Sequence, residues 1–180
     1  MQEDAKDEDK YGDIVVEVYA PKPYYKRDVK PDNYSYNVVT SKSRDLSHIF
    51  YEDIKSIFES IKGKAADLIC IVPGSKIDSY SPTLIALAER LSKEFNVEFE
   101  NILNRKINLS KKMALCSNAQ ERYNVNKDTI GLNRALQSSE KKIILLDDVK
   151  TGGYTKLECA KILTDAGASK VKCICLGINK

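Results

Sequence analysis

Apolar positions along this chain of 180 residues follow two patterns, and the way those patterns alternate sets the expected fold. Between residues 45 and 62, Leu46, Ile49, Phe50, Ile54, Ile57, Phe58 and Ile61 recur at three- and four-residue intervals. That spacing predicts an amphipathic helix, ended by Gly63. A second helix is predicted over 82–94, with Leu84, Leu87, Ala88 and Leu91 on one side, and a third over 154–166, stopped by Gly167. The other pattern is the short continuous apolar run. LICIV at 68–72 and IILL at 143–146 read as strands covered on both faces, and 97–103 and 171–176 are further strand candidates. Near the start, IVVEVYA at 14–20 and YSYNVVT at 34–40 are rich in β-branched residues and read as the two strands of an N-terminal hairpin. Residues 104–134 show no convincing period.

Strands that alternate with helices and are apolar throughout call for an α/β fold, a mainly parallel twisted sheet with helices on both faces, plus the N-terminal β-hairpin extension. In such sheets a ligand is expected beyond the carboxyl ends of the strands. The loops at Pro73 and at Asp147 both leave from those ends and so share one crevice. Residues 1–13 carry six acidic and two basic side chains with almost no apolar ones, which predicts a flexible acidic tail ahead of a single domain over 14–180.

With 42% hydrophobic and 31% charged residues, the composition excludes disordered and low-complexity classes. No run approaches the roughly 20 apolar residues of a membrane span, and the acidic start is unlike a signal peptide. A cytoplasmic protein with no membrane partner is the expectation. Five cysteines, Cys70, Cys116, Cys159, Cys173 and Cys175, lie mostly within apolar runs without metal or redox spacing, as buried reduced thiols do. The charge is uneven: residues 101–180 hold fifteen basic and seven acidic side chains, against twelve and thirteen over 14–100. An anionic ligand or partner fits that bias.

The most informative segment is IILLDDVKTGGYTKLECAKILTDAG at 143–167. A buried strand delivers Asp147 and Asp148 to a turn with Gly152 and Gly153 that opens a helix. Backbone N–H groups at such a helix start can surround a phosphate with the helix dipole behind them, and Thr151 and Thr155 add hydroxyl donors. Ionised carboxylates only accept, so Asp147 and Asp148 suit a partner with several hydroxyls, or one linked through a metal and its waters. A phosphate cradle beside two such acids describes a ribose 5-phosphate site. The plainer alternative is a strand-end turn with ordinary capping chemistry.

This segment closely resembles the signature of the type I phosphoribosyltransferases: apolar residues, two acids, an apolar residue, any residue, Thr-Thr-Gly, any residue, then Thr or Ser. The matching positions are Asp147, Asp148, Val149, Lys150, Thr151, Gly152, Gly153, Tyr154 and Thr155, with Gly152 in place of the second Thr and a large Tyr154 where a small residue is usual. Upstream, ADLICIVPGSK and the helix ending LAERLSKEF are similar to the pyrophosphate loop of the family's ComF-like branch, which makes Pro73, Gly74, Ser75 and Lys76 candidate positions. LNRKINLSKK and QERYNV are similar to that branch's connection.

The resemblance implies phosphoribosyl pyrophosphate or a nucleotide as ligand, with Mg²⁺ at Asp147 and Asp148. It also implies transfer or cleavage of the phosphoribosyl group at a nitrogen base, Arg105 among the phosphate-binding residues, and a flexible lid carrying Lys111 and Lys112 over the pyrophosphate. Tyr19, Tyr24, Tyr25, Tyr34 and Tyr36, interleaved with Lys22, Lys26, Arg27 and Lys30, are candidates for stacking on a base or, equally, plain strand formers. His48 reads as a packing or surface residue. The competing function is a catalytically silent module on the same fold that senses a nucleotide or binds a protein or nucleic acid. The acceptor and the oligomeric state stay open.

Overall fold

A computed structural model describes residues 5–11, 14–25, 32–110, 115–150 and 154–179. Its strands are β1 (Ala5–Tyr11), β2 (Ile14–Ala20), β3 (Pro23–Tyr24), β4 (Leu68–Ile71), β5 (Glu98–Phe99), β6 (Leu103–Arg105), β7 (Ile130–Leu132), β8 (Lys142–Lys150) and β9 (Lys170–Asn179). The helices are α1 (Asn33–Thr40), α2 (Ser47–Ser60), α3 (Pro82–Phe95), α4 (Ala119–Asn126) and α5 (Tyr154–Asp165). The main sheet has the order β1-β2-β9-β8-β4-β5, with β3 also beside β9. Every pairing in it is parallel except β1 with β2. The protein is therefore α/β with a mostly parallel central sheet.

Strand alternation explains the unbroken apolar runs. Ile143 and Leu145 of β8, Leu68 and Cys70 of β4, and Cys173 and Cys175 of β9 pack on one side with Leu157, Cys159, Ala160 and Leu163 of α5. Ile144, Leu146, Ile69, Ile71, Ile174 and Leu176 face the other way, onto Phe50, Ile54 and Ile57 of α2 and Leu84, Leu87 and Leu91 of α3. With both faces covered, every position of a central strand must be apolar. The five cysteines are buried thiols, as expected from the sequence. No helix among the described residues is long and apolar enough to cross a membrane.

The helices begin and stop where local chemistry directs. Ser81 caps α3 by accepting the Leu84 N–H, Pro82 opens it, and Asn96 closes it in the left-handed conformation at φ 53°. Gly63, after α2, sits where a Cβ would lie 2.5 Å from the Phe58 ring.

The N-terminal hairpin is built from other segments than the sequence pattern suggested. YSYNVVT is helix α1, capped by Asp32, whose carboxylate accepts the Ser35 N–H at 2.6 Å. Its burial is helical in spacing. Val38 is in the core, and one turn earlier Tyr34 packs edge-on against Phe50 at 5.5 Å and donates to the Leu176 carbonyl. The antiparallel partner of β2 is instead β1, in register from Ala5 opposite Ala20 to Tyr11 opposite Ile14. β1 thus lies within the acidic opening expected as a tail. The strand predicted over 97–103 is also corrected: β5 joins the main sheet, while β6 pairs antiparallel with β7 in a small separate sheet.

The corner between β7 and β8 is held by an ion pair as well as by Leu132 and Leu136, which pack on the core. Arg134 donates through Nη1 and Nη2 to both oxygens of Glu140, at 2.8 and 2.6 Å, and through Nε to Glu100 at 2.9 Å. Glu140 is only 2% exposed, and the Arg134 hydrogen bonds hold its carboxyl below the ordinary range. Arg134 therefore belongs to the scaffold rather than to a basic lid. A carboxyl lowered in this way contributes stability above its unfolded value and loses it as pH falls through the folded one. Glu140→Gln should cost about 1–3 kcal/mol at pH 7, and the deficit should shrink below about pH 4, as read by urea melts at both pH values. An equal deficit at both would contradict an ionic role.

Candidate functional site

β4 and β8 are parallel neighbours, with Leu68 opposite Ile143 and Ile71 opposite Leu146, so the segments after Ile71 and after Leu146 emerge at the same edge of the sheet. The Pro73 loop and the acid pair therefore stand at one edge, with Asp147 and Asp148 still within β8 rather than in the turn expected from the sequence. Arg105 braces the Pro73 loop. It is 1% exposed, donates through Nε to the Gly74 carbonyl at 2.9 Å, and through Nη1 to Asn126 Oδ1 at 3.0 Å and to Thr129 Oγ1. Asn126 in turn donates to the Tyr154 carbonyl and accepts from the Thr155 hydroxyl, both at 3.4 Å. One hydrogen-bonded chain therefore runs from the Gly74 turn to the first turn of α5. Burial lowers the Arg105 guanidinium from its usual value. Expected as a phosphate ligand, Arg105 is enclosed among protein acceptors and acts as a brace.

The two acids stand at this edge and turn to different neighbours. Asp148 is salt-bridged through Oδ2 to Lys42 Nζ at 2.7 Å, on the side of α1. Asp147 lies in the field of Lys156 and Cys159, both on α5. Each carboxylate also accepts the next backbone N–H: Asp148 N donates to Asp147 at 2.8 Å and Val149 N to Asp148 at 2.6 Å. Desolvation first, and the neighbouring Asp148 charge second, push the Asp147 carboxyl up to about 6. Their hard oxygen donors match Mg²⁺ chemically. An ion held by the pair would have to share Asp148 with Lys42, which is bound to its Oδ2.

The loop after β4 is closed on itself. Gly74 donates its N–H to the Ser79 carbonyl at 2.6 Å, and a Cβ there would lie 2.9 Å from the same oxygen, so the close approach requires glycine. Ile77 N donates to Asn108 Oδ1 at 2.8 Å, and Leu109 N to the Ser75 carbonyl at 2.9 Å. The N–H groups of Gly74 and Ile77 are thus engaged within the protein. Pro73 is buried, whereas Ser75 and Lys76 are exposed at the rim.

Lys111, Lys112, Thr151, Gly152 and Gly153 lie outside the described residues. Lys150 ends β8, Val149 is half-buried beside Asp148, and Tyr154 and Thr155 open α5 half-buried. The stretch read as a basic lid contains α4 and β7, and Lys106 and Lys127 are exposed along it.

Three residues of this edge were not singled out from the sequence. Lys156 left a trace, being a lysine on the apolar stripe of Leu157, Cys159, Ala160 and Leu163. Asn126 sits in the run QERYNVN without a distinguishing pattern. Lys42 lies in the part of the chain that the resemblance does not reach, and its approach to Asp148 spans more than a hundred residues.

An acid whose folded pKa is raised binds its proton more tightly in the native state, so its ionisation opposes folding. Asp147→Asn should therefore raise stability by on the order of 2 kcal/mol at pH 7.5, with the gain vanishing near about pH 4, where the native acid is already protonated. Urea melts at the two pH values check this, and no gain at pH 7.5 would refute it. No protein-family model matches the chain, and no curated protein matches it either.

Proposed function

We propose that the chain is a phosphoribosyltransferase-like protein that binds phosphoribosyl pyrophosphate or a nucleotide with Mg²⁺ at the shared edge of β4 and β8. The observation that carries this reading is the coupling of the loop after β4 to the start of α5 through Arg105 and Asn126, at the edge where β8 carries the Asp147–Asp148 pair. An acid pushed towards neutrality at the carboxyl end of a central parallel strand is typical of a working site. The signature at 147–155 supplies the substrate class.

In this reading the ribose hydroxyls donate to Asp147 and Asp148, and the amino end of α5, with Thr155, holds the 5-phosphate. Lys76 at the rim faces the pyrophosphate. Asp147 and Asp148 would hold the Mg²⁺ that accompanies the ligand's phosphates, and it would supply charge stabilisation for the departing pyrophosphate. Transfer to a nitrogen base then rests on positioning and electrostatic stabilisation, without a protein nucleophile.

One observation favours a second reading, a silent nucleotide-sensing or interaction module. The donors at Gly74 and Ile77 and an oxygen of Asp148 are satisfied within the chain. Calorimetric titration with phosphoribosyl pyrophosphate, with and without Mg²⁺, is expected to show binding that the double variant Asp147→Asn, Asp148→Asn weakens by roughly tenfold or more. Pyrophosphate release over a panel of nucleobases would establish transfer. Binding without release supports the silent module, and no binding in either buffer would refute the pocket.

A further inference from the structure

Asp148 is paired with a lysine from the N-terminal part of the chain, and the placement of that lysine is built in detail. Residues 41–46, which carry Lys42, are fastened at both ends to the start of α3 by buried hydroxyls. Ser81 Oγ donates to the Ser41 carbonyl at 2.7 Å, while Thr83 Oγ1 donates to the Arg44 carbonyl at 2.7 Å and accepts from Leu46 N at 2.9 Å. Ser41 and Thr83 are themselves fully buried, and Ser41 Oγ donates back to the Val38 carbonyl. A surface lysine needs no such support. Here it fixes where the side chain starts.

The exposures show which group an incoming molecule meets first. The Lys42 side chain is 56% exposed and that of Asp148 is 21%, so the lysine is the more accessible member of the pair. It has three N–H donors, and one is directed to Asp148. Two adjacent carboxylates repel a phosphorylated sugar, and a cation beside them offsets part of that repulsion. Lys156, a lysine on α5 whose charge acts on Asp147, is only 1% exposed.

We infer that Lys42 is a ligand-binding residue of this edge, which neutralises Asp148 in the free protein and donates to a phosphate oxygen of the bound sugar phosphate. The inference rests on the proposed phosphoribosyl reading and extends it to a segment that the signature does not cover. The turn between α1 and α2 becomes the wall of the site opposite α5.

The test is calorimetric titration of the wild type, Lys42→Met and Lys42→Arg with phosphoribosyl pyrophosphate, each in EDTA and in Mg²⁺, alongside melting temperatures. Lys42→Met should lose roughly tenfold or more in affinity in both buffers, and Lys42→Arg should stay within about threefold of the wild type, because it keeps the charge and the donors. Melting temperatures should agree within a few degrees, as for an exposed ion pair. A wild type that binds with Lys42→Met binding equally well would overturn the role of Lys42 and leave the pocket standing. A wild type that fails to bind in both buffers would overturn the pocket and this inference together.

Discussion

The burial of β8 between two helical layers is the constraint on which the rest of the molecule depends. Residues 143–146 give alternate side chains to α5 and to α2 and α3, while the backbone is paired on both sides by β4 and β9. Such a strand is fixed in register, because a slip of one residue would exchange its two faces. The position of Asp147 and Asp148 follows from that register. They come directly after Leu146 on the same strand, which stays paired with β9 as far as Lys150, ahead of α5 at Tyr154.

That geometry separates what the sequence could reveal from what it could not. β4, β8, α2, α3 and α5 were legible because each buries a continuous or regularly spaced apolar set, and burial of that kind is written in residue type. α1 was not, since its Val38, Val39 and Thr40 favour strand locally, and only the fit of Tyr34 and Val38 against α2 and β9 decides for helix. β5 and β6 were merged for a similar reason, as neighbouring apolar residues carry no mark of which sheet they join.

The edge of the site was readable from strand order and the acid pair. Its hydrogen-bond accounting was not. Whether Gly74 N–H faces solvent or the Ser79 carbonyl, and whether Arg105 faces a ligand or Asn126, depends on contacts between distant segments that leave no local pattern.

The acid pair also shows why the N-terminal region matters to this edge. Two adjacent carboxylates are tolerable only if their charges are compensated, and here Lys156 acts on Asp147 while Lys42, salt-bridged to Asp148, acts on both. The helical state of α1 is what brings Lys42 there. Tyr34 anchors the start of α1 on Leu176 of β9, and the eight residues from there to Lys42 advance about 12 Å as helix, where a strand would advance about 26 Å. Cys175, the residue before that anchor, lies opposite Asp147 in the β8–β9 register, so the shorter rise keeps the ammonium at the end of β8. A strand over the same residues would carry it past the edge and leave Asp148 without its cation.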